Sequence, residues 1–311
     1  MSIFNLEKGT KESRSILVPG LSTELTVTTV CGIAEGPRVL ITAGIHNEEY
    51  VGIETANRLA RELNPEEMSG CVVIIHICNP TGFSALSPDV IPEDGQNLNR
   101  CFPGSAGGAP SHRLAHFITE EFLEPASCLI DLHSGGGREV LCPHVYYQAM
   151  AGESLEASSK KLAALADVDY MIASDSYTGS AFSHAAYHNI PSILMERGGM
   201  AMWSEAEICD YLADIRRVLH HLGVLKNSVL QQRTPKTITQ TDYFRAEHSG
   251  CWYPAKKAGE TAVEGETLGV IKDLIGKELS SVKASENCTV LYQIGSLAIV
   301  KGEALIACGK I

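Results

Sequence analysis

The chain is short of positive charge. Its 311 residues carry 25 lysines and arginines against 37 aspartates and glutamates, a formal net charge of −12. Nucleic acids and anionic membranes are bound through basic patches. No long Lys/Arg run is present, so neither is expected as a partner, although a local basic pocket for an anionic small molecule stays open. No apolar run approaches the roughly 18 residues that a membrane-spanning helix needs. The opening stretch MSIFNLEKGTKESRS is polar and lacks the apolar core of a secretory signal. Paired cysteines are missing too: the ten, at 31, 71, 78, 101, 128, 142, 209, 251, 288 and 308, form no C-x-x-C motif. Several sit in apolar runs, such as Cys71 in CVVIIHIC and Cys128 in SCLIDL, where free cysteine behaves as a small hydrophobe. A reduced, cytoplasmic chain is the expectation.

What is present is an ordinary globular balance, with 44% hydrophobic residues, enough for a full core in one large domain or two. The first two-thirds alternates two textures. RVLITAG, GCVVIIHICNP, CLIDLHS, DYMIAS and PSILMERGG are short apolar runs that stop at polar residues. EEYVGIETANRLARELN, SHRLAHFITEEFLEPA, SLEASSKKLAALADV, GSAFSHAAYHNI and SEAEICDYLADIRRVLHHLGVL have helical spacing. The last opens with Ser204 and Glu207 in a capping-box pattern. Strands alternating with helices predict an α/β fold, a mainly parallel mixed sheet flanked by helices. KNSVLQQRTPKTITQ is polar and reads as a linker. The remainder is short strand-like pieces rich in glycine, in two related halves: Val263-Glu264-Gly265-Glu266-Thr267-Leu268 matches Val300-Lys301-Gly302-Glu303-Ala304-Leu305. The expected division is a main domain over residues 1–230 and a small all-β domain over residues 236–311. No lysine-bearing carrier motif is evident there, so a structural or gating role is the expectation.

Ligands of parallel sheets gather beyond the carboxyl ends of the strands, and that is where the polar residues fall. His46 and Glu49 form H-x-x-E after RVLITAG; imidazole nitrogen and carboxylate oxygen both suit Zn²⁺. The spacing alone is weak, since it arises often by chance. His133, closing CLIDLHS, completes a His/Glu/His set of the kind that leaves one position open in catalytic zinc sites. Asp131, two residues earlier, shares its face and suits the role of holding the outer ring nitrogen; the plainer reading is a solvated strand end. Glu196 closes SILMERGG. A carboxylate there is costly unless satisfied or used, either as a general base or in a salt bridge, with Arg197 the nearest cation. Asn99 and Arg100, in DGQNLNRCFPG, could grip a substrate carboxylate or sit in an ordinary surface loop. His76 reads as a satisfied core residue, His220-His221 as cations at a helix C-terminus, and the i,i+4 pair His112 and His116 as a helix face without a second metal site. Tyr146, Tyr147 and Tyr177 are open as pocket-lining residues.

GIHNEE, DGQNLNRCFPG, LIDLHSGG and ILMERGG, in that order, resemble the succinylglutamate desuccinylase/aspartoacylase family of the zinc carboxypeptidase-like (M14) clan. The resemblance covers nearly the whole chain, including a small C-terminal β-domain. It implies a zinc-carboxypeptidase-like fold and one Zn²⁺ on His46, Glu49 and His133. It further implies Glu196 as general base and Asn99 and Arg100 as binders of a substrate carboxylate. Two departures stand out. The family often has H-G-N-E where this chain has His46-Asn47-Glu48-Glu49, which keeps the ligand spacing but adds a charge at Glu48. Many relatives carry an arginine four residues before the counterpart of Asp94, where it helps polarise the scissile carbonyl; here that position is Val90. The missing donor would have to be the zinc alone, Arg138, Arg197 or a tyrosine.

The expected activity is a zinc-dependent amidohydrolase that deacylates a small N-acyl amino acid or related amide. Alternatives are a carboxypeptidase acting on short peptides and a non-catalytic metal-dependent binding protein, for which Val90 is the main support. Mn²⁺, Co²⁺ or Fe²⁺ would suit the same ligands. A homo-oligomer is left open.

Overall fold

The computed structural model describes residues 3, 4, 6–227 and 229–311. The expected apolar runs are its central strands. In chain order these are β1 (Thr10–Leu17), β2 (Glu24–Cys31), β3 (Ala34–Ala43), β4 (Ser69–Ile75), β5 (Cys128–His133), the short β6 (Glu139–Leu141), β7 (His144–Gln148), β8 (Tyr170–Ser174), β9 (Ser192–Glu196) and β10 (Lys236–Ile238). All except β6 join one sheet in the order β1-β2-β4-β3-β5-β9-β7-β8-β10. Pairings β3–β4, β3–β5, β5–β9, β7–β8 and β8–β10 are parallel, and β1–β2, β2–β4 and β7–β9 antiparallel. The sheet is therefore mixed and mainly parallel.

Why these segments are central strands is visible in their burial. All six residues of β5 are buried, because helices cover both faces of a largely parallel sheet. Alternate side chains feed two cores. Val39, Ile41 and Ile130 pack with α1 (Tyr50–Glu62), and the same core takes in Leu162 of the later helix Glu153–Ala163 and Ile208, Ile215 and Leu219 of Glu205–His221. Leu40, Val73 and Leu129 face the other way, toward Leu114, Ile118 and Phe122 and toward Ala181 and Ala185. In chain order the remaining helices are α2 (Pro80–Ala85), α3 (Pro110–Ile118), α4 (Glu153–Ala163), α5 (Ala181–Ala185) and α6 (Glu205–His221). Ser204 caps α6 by accepting the N–H of Glu207 at 3.3 Å, as its sequence pattern implies. Among the described residues no helix is long and apolar enough to cross a membrane.

The C-terminal strands are antiparallel. They are β11 (Thr241–Arg245), β12 (Gly250–Pro254), β13 (Thr261–Ala262), β14 (Thr267–Lys272), β15 (Glu278–Lys283), β16 (Cys288–Ile294), β17 (Ala298–Ile299) and β18 (Ala304–Lys310). They form the sheets β11-β18-β16-β13 and β15-β14-β12-β17 around Trp252, Leu268, Ile271, Val290, Leu305 and Ile306. The two halves repeat one turn. The N–H of Val263 donates to Glu266 Oε2, and that of Val300 to Glu303 Oε2, both at 3.0 Å. Gly265 and Gly302 adopt positive φ (77° and 88°), a conformation glycine takes without steric penalty. β6 pairs with β16, so this β unit is hydrogen-bonded to the loop that follows β5.

Two expectations need correction. The stretch read as a linker ends in β10, which extends the main sheet beside β8; three edge residues in a polar context give little strand signal. Cys31 and Cys71 are not free thiols. They face each other in the β2–β4 ladder and are joined by a disulfide, a juxtaposition that depends on register between strands 40 residues apart in sequence. The other eight cysteines are free.

Candidate active site

Three strands deliver the site. β3, β5 and β9 run parallel and side by side, and their carboxyl ends lie at one edge of the sheet. His46 and Glu49 follow β3 in the turn that opens α1, His133 is the last residue of β5, and Glu196 is the last of β9, in register with His133. The hydroxyl of Tyr211, on α6, lies 2.5 Å from the carbonyl of His133 and 2.6 Å from that of Met195. It ties the ends of β5 and β9 together from below.

His46, Glu49 and His133 bring one ligand atom each within 4.8 Å of one another. His46 Nδ1 is 2.7 Å from Glu49 Oε1, and His133 Nδ1 is 2.9 Å from Glu49 Oε2. The second approach lacks the angle of a hydrogen bond, so Oε2 is buried without a hydrogen-bond partner. The outer nitrogens are engaged elsewhere: His46 Nε2 lies 3.3 Å from Asn97 Oδ1, and His133 Nε2 3.2 Å from Asp131 Oδ2. Asp131 is fully buried and also accepts from Thr42 Oγ1 at 2.7 Å. With each outer nitrogen facing an oxygen acceptor, the ring proton belongs on Nε2 and the lone pair on Nδ1. In the neutral form that a metal would bind, two lone pairs and a carboxylate converge on one point; a proton can take the metal's place, as in the hydrogen bond between His46 Nδ1 and Glu49 Oε1. Such a set is stable around a divalent cation, and its donors fit zinc.

Electrostatics agree with a site built for positive charge. Burial disfavours a charged His133, but Glu49 and Asp131 outweigh it and hold its imidazolium well above the ordinary range. Burial would raise the carboxyl of Glu49; His133 and His46 reverse that and take it down to about 2. Glu196 is different: burial pushes its carboxyl well above the usual carboxylate range. Beside it, across the β7–β9 pairing, His144 is pushed down to about 4 by burial. Its Nδ1 donates to the carbonyl of Cys142 at 2.7 Å.

The triad and Glu196 share a cavity of about 660 Å³. One wall comes from the C-terminal β unit, through Tyr243, Arg245 and Tyr292.

A model of the succinylglutamate desuccinylase/aspartoacylase catalytic domain matches residues 35–222, the span that carries the triad and Glu196. The chain belongs to this family. Among curated relatives, it is 24% identical over 261 residues to the N-alpha-acetyl-L-2,4-diaminobutyric acid deacetylase of Halomonas elongata, covering 82% of this chain and 76% of that one. Solved structures with the same fold include a succinylglutamate desuccinylase/aspartoacylase from Rhodobacter sphaeroides, with a TM-score of 0.87, 24% identity and coverage of 99% of this chain and 98% of that one. The product-bound ectoine utilization protein EutE (DoeB) from Ruegeria pomeroyi is also similar, with a TM-score of 0.85, 22% identity and coverage of 93% and 89%.

Other residues marked by the family motifs fall as follows. Asn99 and Arg100 line the cavity; Asn99 is buried with its Oδ1 unpartnered, and Arg100 donates to the carbonyl of Asn99 at 2.7 Å. Val90, where the resemblance led us to expect an arginine, does not line the cavity; its carbonyl accepts from Asn79 at 3.0 Å, while its neighbour Asp89 lines the cavity. Two of the proposed substitutes for that arginine are absent from the cavity lining. Arg197 is buried and paired with Asp210 and Asp214, both at 3.0 Å, so it does not neutralise Glu196 either. Arg138 is paired with Glu303. The tyrosine option survives in Tyr146, whereas Tyr147 and Tyr177 do not line the cavity. His76 is satisfied on both nitrogens, by Thr28 at 2.8 Å and Asn57 at 2.7 Å.

Sequence reasoning passed over His144, Glu139, Tyr211 and Arg245. His144 stands at the start of HVYYQ, whose aromatic residues are a strand signal. For the others only the tertiary arrangement brings them to the site.

Proposed function

We propose that the chain is a zinc-dependent hydrolase with a carboxypeptidase-like main domain and a small β-domain over its pocket, cleaving the amide bond of a small N-acyl amino acid. The observation that carries this reading is the buried His46/Glu49/His133 set opening into the same cavity as Glu196, a carboxyl with no ion-pair partner among the described residues. Zinc held by those three residues supplies Lewis acidity toward the amide carbonyl and lowers the pKa of water. Asn97 and Asp131 fix the two imidazole rings through their outer nitrogens. Glu196 takes the proton of the attacking water and delivers it to the departing nitrogen, so that amide and water become a carboxylate and an amine. Arg100 and Asn99 hold a substrate carboxylate. Tyr146, or Tyr243 or Arg245 from the β-domain, takes the place of the donor lost at Val90.

The deacetylase relative supports deacylation over peptide trimming. So does the β-domain wall, which leaves a pocket the size of a small ligand site. A carboxypeptidase would need room for a chain, and hydrolysis of peptides longer than a dipeptide would reverse the preference. The test is a panel of N-acetyl, N-succinyl and N-formyl amino acids with metal-replete protein, beside Glu196→Gln. Turnover of one substrate class by the wild type and its loss in the variant is the expected outcome. Equal turnover by both removes Glu196 from its role. Tight metal binding with no turnover across the panel favours a non-catalytic binding protein.

A further inference from the structure

The main sheet ends in a strand whose outer edge is bare. β1 closes the strand order at one side. It pairs with β2 through all eight of its residues without a bulge, and Lys11 to Ser15 are exposed in succession. A long regular edge is a template for another strand, and proteins normally blunt it with a bulge, a proline or an outward lysine. β1 has no bulge and no proline, and its lysine is turned back: Lys11 Nζ donates to the carbonyls of Arg61 and Leu63 at 2.9 and 3.0 Å. The ladder fixes which backbone groups face outward. The N–H of Val18 donates to the carbonyl of Thr23 at 2.9 Å, while the carbonyl of Thr26, opposite Ser15, is taken on its other side by the N–H of His76 at 3.1 Å. Antiparallel bonding alternates along a strand, so Lys11, Ser13, Ser15 and Leu17 turn their N–H and C=O to the open edge. No hydrogen bond among the described residues reaches those groups.

We propose that this edge pairs with the same edge of a second copy of the chain, antiparallel about a two-fold axis at Ser13, so that the two main sheets become one. An outward residue can face only another outward residue, so the axis must pass beside a residue rather than between two. An axis at Glu12 opposes two carboxylates, and an axis at Arg14 two guanidiniums; like charges directly opposite destabilise a ladder. The axis at Ser13 instead sets Glu12 opposite Arg14 of the partner, twice by symmetry, at the closely spaced positions of the ladder. Neither side chain has an ion-pair partner among the described residues of the single chain. The same register brings Leu17 alongside Gly9 of the partner, where Ile33 lies 3.4 Å from a methyl group built on that glycine. Leu17 and Ile33 are 58% and 53% exposed, and the pairing covers both.

The test is sedimentation velocity of the full chain over a wide concentration range, with circular dichroism to confirm folding. The wild type is expected to form a dimer. Glu12→Arg and Arg14→Glu each turn two attractive pairs into repulsive ones, and each is expected to weaken the dimer by roughly tenfold or more. The exchange variant carrying both substitutions again opposes unlike charges and is expected to recover the wild-type dissociation constant. Ser13→Pro removes an N–H that makes no bond within the chain, a change that a sheet edge tolerates, and is expected to give a folded monomer. A dimer that persists unchanged in Glu12→Arg and Ser13→Pro uses another surface and overturns the proposal. So does an exchange variant that associates no better than the single ones. A wild type that stays monomeric at every concentration leaves the edge to solvent or to a strand of a different protein, and overturns it as well.

Discussion

At the scale of single residues, two buried groups set the response to pH. Glu196 acts as a base only when ionised, and burial pushes its carboxyl well above the usual range. The rate should therefore rise with pH through an acid limb displaced above an ordinary carboxylate, near 4.5. Glu196→Gln should lower kcat by about 10²–10⁴ and abolish that limb, while zinc content measured by plasma mass spectrometry stays at one per chain. His144 concerns stability instead. Its folded pKa, about 4, lies below its ordinary 6.5, so the unfolded chain binds the proton first. Stability from this group is intact above about 6.5 and is lost as pH falls toward about 4, by roughly 3 kcal/mol in all. Urea unfolding of His144→Gln should show a shallower acid decline over that window. An unchanged decline would assign the acid sensitivity to other groups. Of these residues the sequence declares Glu196, because a carboxylate ending an apolar strand is conspicuous. His144 is hidden, because its role comes from the antiparallel pairing of β7 with β9, and pairing direction leaves no local mark.

Elements carry the next level. Asp131 and His133 share a face because strand side chains alternate, and this was legible from L-I-D-L-H. Removing the Asp131 carboxylate, as in Asp131→Asn, should weaken zinc binding by about 10–100-fold in a chelator competition, with little change in the far-UV spectrum. Tyr211 could not be read the same way. On a helix with this apolar stripe a tyrosine looks like core, and only the packed structure puts its hydroxyl against the ends of β5 and β9. Tyr211→Phe should cost about 1 kcal/mol, and also lower kcat by letting His133 and Glu196 drift apart; a stability loss with full activity would make it a purely structural tether. The disulfide is another product of register. Thiol titration of the unreduced, denatured chain should count eight cysteines, rising to ten after reduction. Ten at the outset would contradict the Cys31–Cys71 pairing.

For the molecule as a whole, the C-terminal β unit is more than an appendage. Its repeat was visible in the two V-x-G-E-x-L segments, yet its contribution of Tyr243, Arg245 and Tyr292 to the cavity was not, since docking through β6 and β16 joins residues about 150 positions apart. Metal should couple the whole fold. A ligand that binds the folded state alone stabilises it by RT ln(1 + [L]/Kd), about 2.7 kcal/mol at a hundredfold excess over Kd. The melting temperature should thus rise with zinc and fall with chelator. Protons compete for the same nitrogens, and His133 is held protonated to higher pH than usual, so zinc affinity should weaken as pH drops.

The most direct measurement is a zinc titration of metal-stripped protein by calorimetry, beside Glu49→Ala. Binding of one ion per chain in the wild type and none at comparable affinity in the variant is the expected result. One tightly bound ion in both proteins, or none in the wild type, would contradict a metal centre built on His46, Glu49 and His133.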